Sequence, residues 1–194
     1  MSSSEANGSR RPRFATVWLG GCSGCHMSFL DLDEWLFDLA ERADVVFSPF
    51  ADIKEFPPDV DVTLVEGAVT NDDNLEMAHA VRTNTRIVVS FGDCAVTGNV
   101  TSLRNGMGQP DALLQRVYVE HPDLIGVLPT EVVPQLLPQA QPLHEIIPID
   151  VYIPGCPPSP TIIREALVRQ LDAVAAGDGI PSGDWRDPED LRFG

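Results

Sequence analysis

The stretch Gly20-Gly21-Cys22-Ser23-Gly24-Cys25 lies between an apolar run, residues 14–19, and a segment in which apolar residues recur with a helical period. An apolar run that turns through glycines into a helix is typical of a strand–helix unit in an α/β sheet. Both thiols of this C-x-x-C pair would then lie at the carboxyl end of a strand, beside the positive end of a helix. That position favours the thiolate, which is the form that binds metal or reacts.

The other two cysteines also follow apolar, strand-like runs. Cys94 comes after residues 86–91, and Cys156 comes after residues 149–153. If these strands are parallel neighbours, their carboxyl ends meet at one edge of a sheet, which is where ligands bind in open α/β folds. The sequence therefore predicts that three strand ends bring four thiols together.

Apolar runs alternate with helical patterns along the chain. Strands are predicted at residues 14–19, 44–48, 60–65, 86–91 and 149–153. Helices are predicted at residues 26–41, 70–83, 111–119 and 159–176. Strands that are apolar on both faces are typical of a parallel sheet covered by helices on both sides. We therefore predict an α/β fold with a doubly wound parallel sheet.

The chain has 194 residues, which is enough for one sizeable core and too few for two. We predict a disordered N-terminal arm at residues 1–12, a single domain at residues 13–176 and an irregular tail at residues 177–194. Within the domain, residues 120–148 contain six prolines. Their spacing is too short for a regular helix, so we expect an extended covering or docking surface there.

The chain is strongly acidic. It has 29 Asp and Glu against 13 Lys and Arg, a formal net charge of −16, which repels nucleic-acid backbones and anionic membranes. Its apolar runs are far shorter than the roughly 20 residues that cross a bilayer. We expect a cytoplasmic protein that binds neither nucleic acid nor membrane. Four cysteines in that compartment are more often metal ligands or redox thiols than disulfides.

Three kinds of site are compatible with four thiols. An iron–sulfur cluster and zinc both accept a fully thiolate ligand set. One C-x-x-C pair joined by two distant cysteines is more typical of a cluster on a preformed domain than of a structural zinc module. A stand-alone thiol oxidoreductase that uses Cys22 and Cys25 is the third alternative.

Other residues at the predicted edge carry weaker signals. Glu66 follows the third strand, where it could relay protons, or cap or hydrogen-bond a nearby loop. Asp93 precedes Cys94, and we expect its carboxylate to accept backbone N–H groups of the loop. His26 begins the first helix and could bond to a bound group or contact a partner, while Trp18 is expected in the core.

Four motifs, in this order, resemble those of the small subunit of nickel–iron hydrogenases, and the resemblance covers roughly residues 13–175. The motifs are Trp18-Leu19-x-Gly21-Cys22-Ser23-Gly24-Cys25-His26-Met27-Ser28, Val65-Glu66-Gly67-Ala68-Val69, Phe91-Gly92-Asp93-Cys94-Ala95-Val96-Thr97-Gly98-Asn99 and Ile153-Pro154-Gly155-Cys156-Pro157-Pro158. More closely, the chain resembles the small subunit of cytoplasmic, bidirectional NAD-reducing hydrogenases. In that group the first motif is followed by Leu-Asp-Leu-Asp, which stands at residues 30–33 here.

This resemblance implies a flavodoxin-like domain with helices on both faces of the sheet, in which Cys22, Cys25, Cys94 and Cys156 bind one [4Fe–4S] cluster. No cysteine follows Cys156, so we expect a single cluster in this chain. In that group the nickel–iron centre lies in a large subunit. Diaphorase-type subunits carry FMN, further iron–sulfur clusters and the NAD site.

The implied function is electron transfer in the reversible reaction H2 + NAD+ to NADH + H+, with this chain as a subunit that is not catalytically complete alone. A cluster-bearing subunit of a complex I-like oxidoreductase is the nearest alternative, because it shares the fold and a similar Gly-Cys-Pro-Pro turn. That family has two adjacent cysteines after the first strand. Here, Ser23 and Gly24 separate Cys22 from Cys25.

Overall fold

Parallel strands form the main sheet of the protein. The computed structural model describes residues 10–120 and 126–178 and the backbone of residues 183–184. The strands are β1 (Arg13–Trp18), β2 (Asp44–Phe47), β3 (Val60–Glu66), β4 (Val69–Asn71), β5 (Thr85–Phe91), β6 (Leu136–Gln141), β7 (Val151–Ile153) and β8 (Gly183–Asp184). All belong to the main sheet except β4 and β6, which pair antiparallel in a small second sheet.

The main sheet has the strand order β2-β1-β3-β5-β7-β8, and each neighbouring pair is parallel. The chain winds in one direction from β1 to β2 and in the other from β3 to β8, so the winding reverses between β1 and β3. The first five strands of this order match the flavodoxin arrangement, in which ligands bind at the carboxyl ends of the strands at the reversal. This order confirms the predicted doubly wound α/β fold.

Helices cover both faces of the sheet. They are α1 (Gly24–Leu30), α2 (Trp35–Arg42), α3 (Asp72–Asn84), α4 (Asp93–Thr97), α5 (Pro110–Leu114) and α6 (Pro160–Ala176), with two 3-10 helices, Asn99–Gly106 and Leu143–Glu145, and a π-helical turn, Gln115–Val119. Buried side chains of α1, α2 and α6 pack on one face of the sheet, and those of α3 and α4 pack on the other. Among the residues described, none of the helices has the length and apolar character that a membrane crossing requires.

The central strands are apolar because both of their faces are buried. All seven residues of β3 are buried. Val62 and Leu64 pack with one helical layer, whereas Val65 packs with the other. Successive side chains of a strand point to opposite faces of the sheet. A slip of one residue in the strand pairing would therefore move each side chain into the wrong helical layer, and the cost of that mispacking keeps the register unique.

The helix predicted at residues 26–41 is two helices. α1 ends at Leu30, and α2 begins at Trp35. Between them, Asp33 has a φ of +51°, a left-handed conformation that a continuous helix cannot contain. The prediction was wrong because the spacing of the apolar residues continues across the break, where Leu32 is still buried.

The end of the predicted N-terminal arm contacts the domain. Residues 1–9 of the arm lie outside the described residues. Arg10 forms an ion pair with Asp61, with Nη1 and Oδ2 at 3.1 Å, and Arg11 forms one with Asp44. Residues 10–12 are therefore attached to the domain rather than part of a free arm.

The proline-rich segment and the tail contain regular structure that the sequence did not predict. Residues 121–125 of the proline-rich segment lie outside the described residues, but β6 pairs with β4. In the tail, residues 179–182 and 185–194 lie outside as well, whereas β8 pairs in parallel with β7. These strands are short and depend on distant partners, so no local apolar pattern marks them.

Leu167 in α6 tests the packing of the helices on the sheet. Its side chain is 1% exposed, so Leu167→Ala should lower the free energy of unfolding by about 2–5 kcal/mol through lost burial and a residual cavity. Leu103→Ala is the matched control, because Leu103 is 72% exposed and surface substitutions change stability by about 0.5 kcal/mol or less. Urea unfolding of the full chain measures both variants. Equal midpoints would contradict the packing of α6.

Candidate metal centre

All four cysteines lie at the carboxyl edge of the main sheet. Cys22 is in the loop after β1, Cys25 in α1, Cys94 in α4 after β5, and Cys156 in the loop after β7. Cys25 and Cys94 are buried, Cys22 and Cys156 are exposed, and all four are free thiols. They are close enough for charge on the other three to act on Cys25. Three strand exits thus bring the four thiols together, while their role as iron ligands stays a prediction.

Backbone hydrogen bonds hold the exits of β1 and β3 together. The Gly20 N–H donates to the Ala68 carbonyl at 2.9 Å, and the Ala68 N–H donates to the Gly20 carbonyl at 2.8 Å. Gly67, which directly precedes Ala68, has a φ of +95°, and a Cβ on it would lie 2.8 Å from the carbonyl oxygen of Gly20. A side chain at residue 67 would therefore displace the chain that leads into the C-x-x-C pair.

The exits of β5 and β7 are joined in a similar way. The Gly92 N–H donates to the Ile153 carbonyl at 2.7 Å, and the Asp93 N–H donates to the Gly155 carbonyl at 2.9 Å. In return, the Gly155 N–H donates to the Asp93 carboxylate at 2.7 Å. This contact confirms that Asp93 accepts a backbone N–H group, and it positions the loop that carries Cys156.

Two contacts connect α1 to this second pair of exits. The Ser28 hydroxyl of α1 donates to the Pro158 carbonyl at 2.6 Å. A Cβ on Gly92 would lie 2.1 Å from the Cys25 sulfur, so the missing side chain at residue 92 leaves the space that this sulfur occupies. The C-x-x-C pair is thereby packed against the exit of β5 and tied to the loop after β7.

Glu66 is bonded to the start of α1. Its carboxylate is 2% exposed, accepts the His26 backbone N–H at 2.9 Å and also pairs with the His26 ring nitrogen Nδ1. His26 is 1% exposed. The prediction that its side chain contacts a partner, one of its two predicted roles, is therefore wrong. The contacts attach the end of β3 to the helix that carries Cys25.

Burial raises the pKa of two of the four thiols. For Cys25 the desolvation effect is the largest, followed by the charge of Glu66 and then by the other cysteines. Desolvation also raises the pKa of Cys94, although a hydrogen bond from the Val100 backbone acts in the opposite direction. The preference for thiolate that was expected of the C-x-x-C pair is therefore wrong for Cys25 in the metal-free chain. The first turn of a seven-residue helix does not offset the loss of hydration.

Sequence reasoning missed one polar contact at this edge and misplaced one aromatic residue. Asn99 Nδ2 lies 3.3 Å from Cys156 Sγ. The pair Gly98-Asn99 was a usable signal, because both residue types favour left-handed turns. Trp18, expected in the core, is 45% exposed, since it is the last residue of β1 and lies at the sheet edge.

The donor set at this edge fits an iron–sulfur cluster. Four thiols from three strand exits, with N–H donors directed at two of their sulfurs, match the cysteine ligation and sulfur hydrogen bonding of such cofactors. Within residues 10–120 and 126–178, however, no three His, Cys, Asp or Glu side chains form a group that could hold a metal ion, so a cluster bound by the four cysteines stays a prediction.

Residues 22–170 match the protein family described as NADH ubiquinone oxidoreductase, 20 Kd subunit. The chain belongs to this family. The matched region begins at Cys22 and includes the other three cysteines and Glu66, so all of the predicted site residues lie within the part of the chain that matches this family.

Several curated relatives of this chain are hydrogenase subunits. The NAD-reducing hydrogenase HoxS subunit delta of Cupriavidus necator is 36% identical over 177 residues, which cover 89% of this chain and 82% of the relative. One subunit of the F420-non-reducing hydrogenase from Methanothermobacter thermautotrophicus is 39% identical over 164 residues, which cover 82% of this chain and 53% of the relative. The chain thus spans about half the length of the F420-non-reducing relatives that it matches.

A solved structure agrees with these relatives. The crystal structure of an NAD+-reducing [NiFe]-hydrogenase in the H2-reduced state contains a chain that superposes with a TM-score of 0.83 at 35% identity, covering 95% of this chain and 100% of that chain. Together with the HoxS delta subunit, this match confirms the resemblance to hydrogenase small subunits that the four motifs predicted.

Gly92→Ala tests the packing between the β5 exit and Cys25. The added Cβ would meet Cys25 Sγ at 2.1 Å, and residue 92 has a φ of +82°, which alanine adopts only with strain. The free energy of unfolding of the metal-free chain should fall by about 1–3 kcal/mol. Gly106→Ala is the matched control, because a Cβ there meets no atom within 4 Å. Urea unfolding midpoints that agree between the two variants would contradict this arrangement.

Thiol alkylation tests the raised pKa values of Cys25 and Cys94. A raised pKa leaves less thiolate near neutral pH, and the thiolate is the reactive form. In the metal-free chain, these two buried residues should react with iodoacetamide more slowly than the exposed Cys22 and Cys156. The difference should narrow as the pH rises. Peptide mapping by mass spectrometry measures it, and a faster reaction at Cys25 than at Cys22 would contradict it.

Proposed function

We propose that this chain is the electron-transfer small subunit of an NAD-reducing nickel–iron hydrogenase and that it holds one [4Fe–4S] cluster. The observation that carries the proposal is the meeting of Cys22, Cys25, Cys94 and Cys156 at one sheet edge, reached from three strand exits. The similarity to the HoxS delta subunit supports it, because it extends over 89% of this chain and 82% of that protein.

The two kinds of cysteine would hold the cluster from opposite sides. Cys25 and Cys94 are each 6% exposed and would hold the inner side, next to the core. Cys22 and Cys156 are exposed and would hold the outer side. When bound, such a cluster supplies one-electron transfer at a potential set by burial and by hydrogen bonds to its sulfurs. The chain itself excludes water from the inner side and sets the position of the outer side relative to its partners.

Exposed apolar side chains near the cysteines in sequence support a partner surface at this edge. Trp18, Met27 and Val100 are about half exposed, and Leu103 is exposed further. Aromatic residues and methionine are enriched at protein interfaces. We propose the hydrogenase large subunit, which carries the nickel–iron centre, as the partner here. Diaphorase-type subunits with FMN, further iron–sulfur clusters and the NAD site would be the second partner.

In the proposed complex, H2 is oxidised in the large subunit and NAD+ is reduced in the diaphorase subunits, so that H2 + NAD+ gives NADH + H+ reversibly. The choice of NAD rests on the similarity to the HoxS delta subunit of an NAD-reducing hydrogenase and on the superposition with a chain of an NAD+-reducing [NiFe]-hydrogenase. The cytoplasmic location expected from the sequence stays a prediction.

The number of thiols at this edge argues against a stand-alone thiol oxidoreductase. Such an enzyme would use only Cys22 and Cys25, which leaves the meeting of Cys94 and Cys156 with this pair unexplained. A complex I-like subunit is the second candidate, since the family is described by the 20 Kd subunit of NADH ubiquinone oxidoreductase. The hydrogenase relatives, together with the two residues between Cys22 and Cys25, favour the hydrogenase.

Glu66 has two proposed roles at this site. Its bonds to the backbone and ring of His26 support a role in holding α1 beside the other strand exits. We also propose Glu66 as a proton relay, because this buried carboxylate bonds to the Nδ1 of an imidazole, a ring whose second nitrogen can also hold a proton.

Cys156→Ser tests the proposed ligand set. The wild-type chain, purified anaerobically, should contain about four irons and four acid-labile sulfides. Because Cys156 is exposed, serine should leave the fold intact, yet the variant should lose most of its iron, and the assembled complex should lose H2-dependent NAD+ reduction. Thr161→Ser, a conservative change at a nearby exposed residue, is the control and should keep both.

The same measurements separate the alternatives. Full iron content and activity in Cys156→Ser would reject its ligand role. A single colourless metal without sulfide in the wild-type chain would identify a zinc site, and the absence of both metal and sulfide would leave a dithiol.

A further inference from the structure

Two adjacent residues at the start of the 3-10 helix Asn99–Gly106 direct N–H groups at two different cysteines. The Nδ2 of Asn99 lies 3.3 Å from Cys156 Sγ. The backbone of Val100 bonds to Cys94, where it opposes the effect of burial on the pKa of that thiol. One short segment therefore donates to sulfurs that come from the exits of β5 and β7.

The backbone around Asn99 holds its side chain in this position. Gly98 has a φ of +84° and Asn99 a φ of +35°, and asparagine adopts positive φ more readily than most residues. The Gly98 N–H donates to the Cys94 carbonyl at 3.0 Å, and the Ser102 N–H donates to the Gly98 carbonyl at 3.1 Å. The turn is thus attached to α4 on one side and to the 3-10 helix on the other, which leaves the Asn99 amide next to Cys156.

The chemistry of the contact calls for a neutral donor at residue 99. A metal-bound thiolate accepts hydrogen bonds and has no proton to donate. Aspartate, which has the shape of asparagine, would present a second negative charge, and leucine would present no polar atom. An amide N–H can donate to the sulfur without adding a charge.

We propose that Asn99 is a positioning residue whose amide N–H bonds to the Cys156 sulfur in the loaded site and raises the reduction potential there. This inference rests on the proposed function and deepens it. Reduction adds negative charge that the cysteine sulfurs share, so an N–H donor stabilises the reduced form more than the oxidised form. Removal of the donor should therefore make the loaded site harder to reduce.

The full-length chain, loaded anaerobically with iron and sulfide, allows the reduction potential to be measured by a redox titration followed by EPR. Asn99→Gly removes the donor, adds no charge and accepts a positive φ. Asn99→Asp keeps the shape and replaces the donor with a carboxylate. Asn105→Asp is the matched control on the same 3-10 helix, because both ends of the Asn105 amide bond to the Ala140 backbone, at 2.8 Å each.

We expect the midpoint potential to shift to more negative values in both Asn99 variants, and further in Asn99→Asp because of its added charge. The potential of Asn105→Asp should equal that of the wild-type chain. A wild-type potential in Asn99→Gly at full iron content would overturn the inference, and so would an equal shift in Asn105→Asp.

Pulsed EPR of the reduced, loaded chain gives a second readout that does not depend on Asn99→Gly. With asparagine side-chain amides labelled with 15N, the wild-type chain should show a 15N coupling that Asn99→Asp lacks. Identical spectra would overturn the inference even if Asn99→Gly lost its iron. Iron and sulfide analysis of the wild-type chain distinguishes failure of the Asn99 inference from failure of the proposed function. A wild-type chain that binds no cluster would overturn the proposed function itself.

Discussion

The cysteine site depends on the parallel pairing of β1, β3, β5 and β7. Neighbouring strands in a parallel sheet end at the same edge, so Cys22 and Cys156, far apart in sequence, are brought to one place by backbone pairing alone. Hydrogen bonds continue this pairing beyond the strands, from Gly20 to Ala68 and from Gly92 to Ile153. The loops that carry the thiols are therefore extensions of the sheet, and their positions follow from its register.

The same packing makes the metal-free site unfavourable for negative charge. Burial and the nearby Glu66 raise the pKa values of Cys25 and Cys94. In the proposed site, iron would bind thiolates, so loading would release protons from these thiols, and iron–sulfur bonding would have to exceed the free energy of that release. The N–H donors at Asn99 and Val100 would lower this requirement, because they would stabilise charge on the metal-bound sulfurs of Cys156 and Cys94.

The structural features that could be predicted from the sequence are those that depend on a local pattern of apolar residues. The five strands β1, β2, β3, β5 and β7 were predicted from their apolar runs, and with them the meeting of the cysteines, because each thiol follows a strand end. Two features were not predicted. The left-handed conformation of Asp33 depends on a single backbone angle, and the pairing of β4 with β6 depends on residues that are distant in sequence. The contact of Asn99 with Cys156 needs both a special turn and a distant loop, so it required coordinates.

Burial divides the site into an inner half that belongs to the core and an outer half that faces solvent. Cys25 is part of the same buried cluster as Phe91 and Ile153, so its position cannot change without disturbing the sheet. Cys156 is exposed and is positioned by loop contacts, among them the Asn99 amide. The proposed electron transfer would need a shielded cofactor and also a close approach to the partner, and the inner and outer halves would meet these needs separately. In that proposal, residues of the outer loops would adjust the potential while the core stays unchanged.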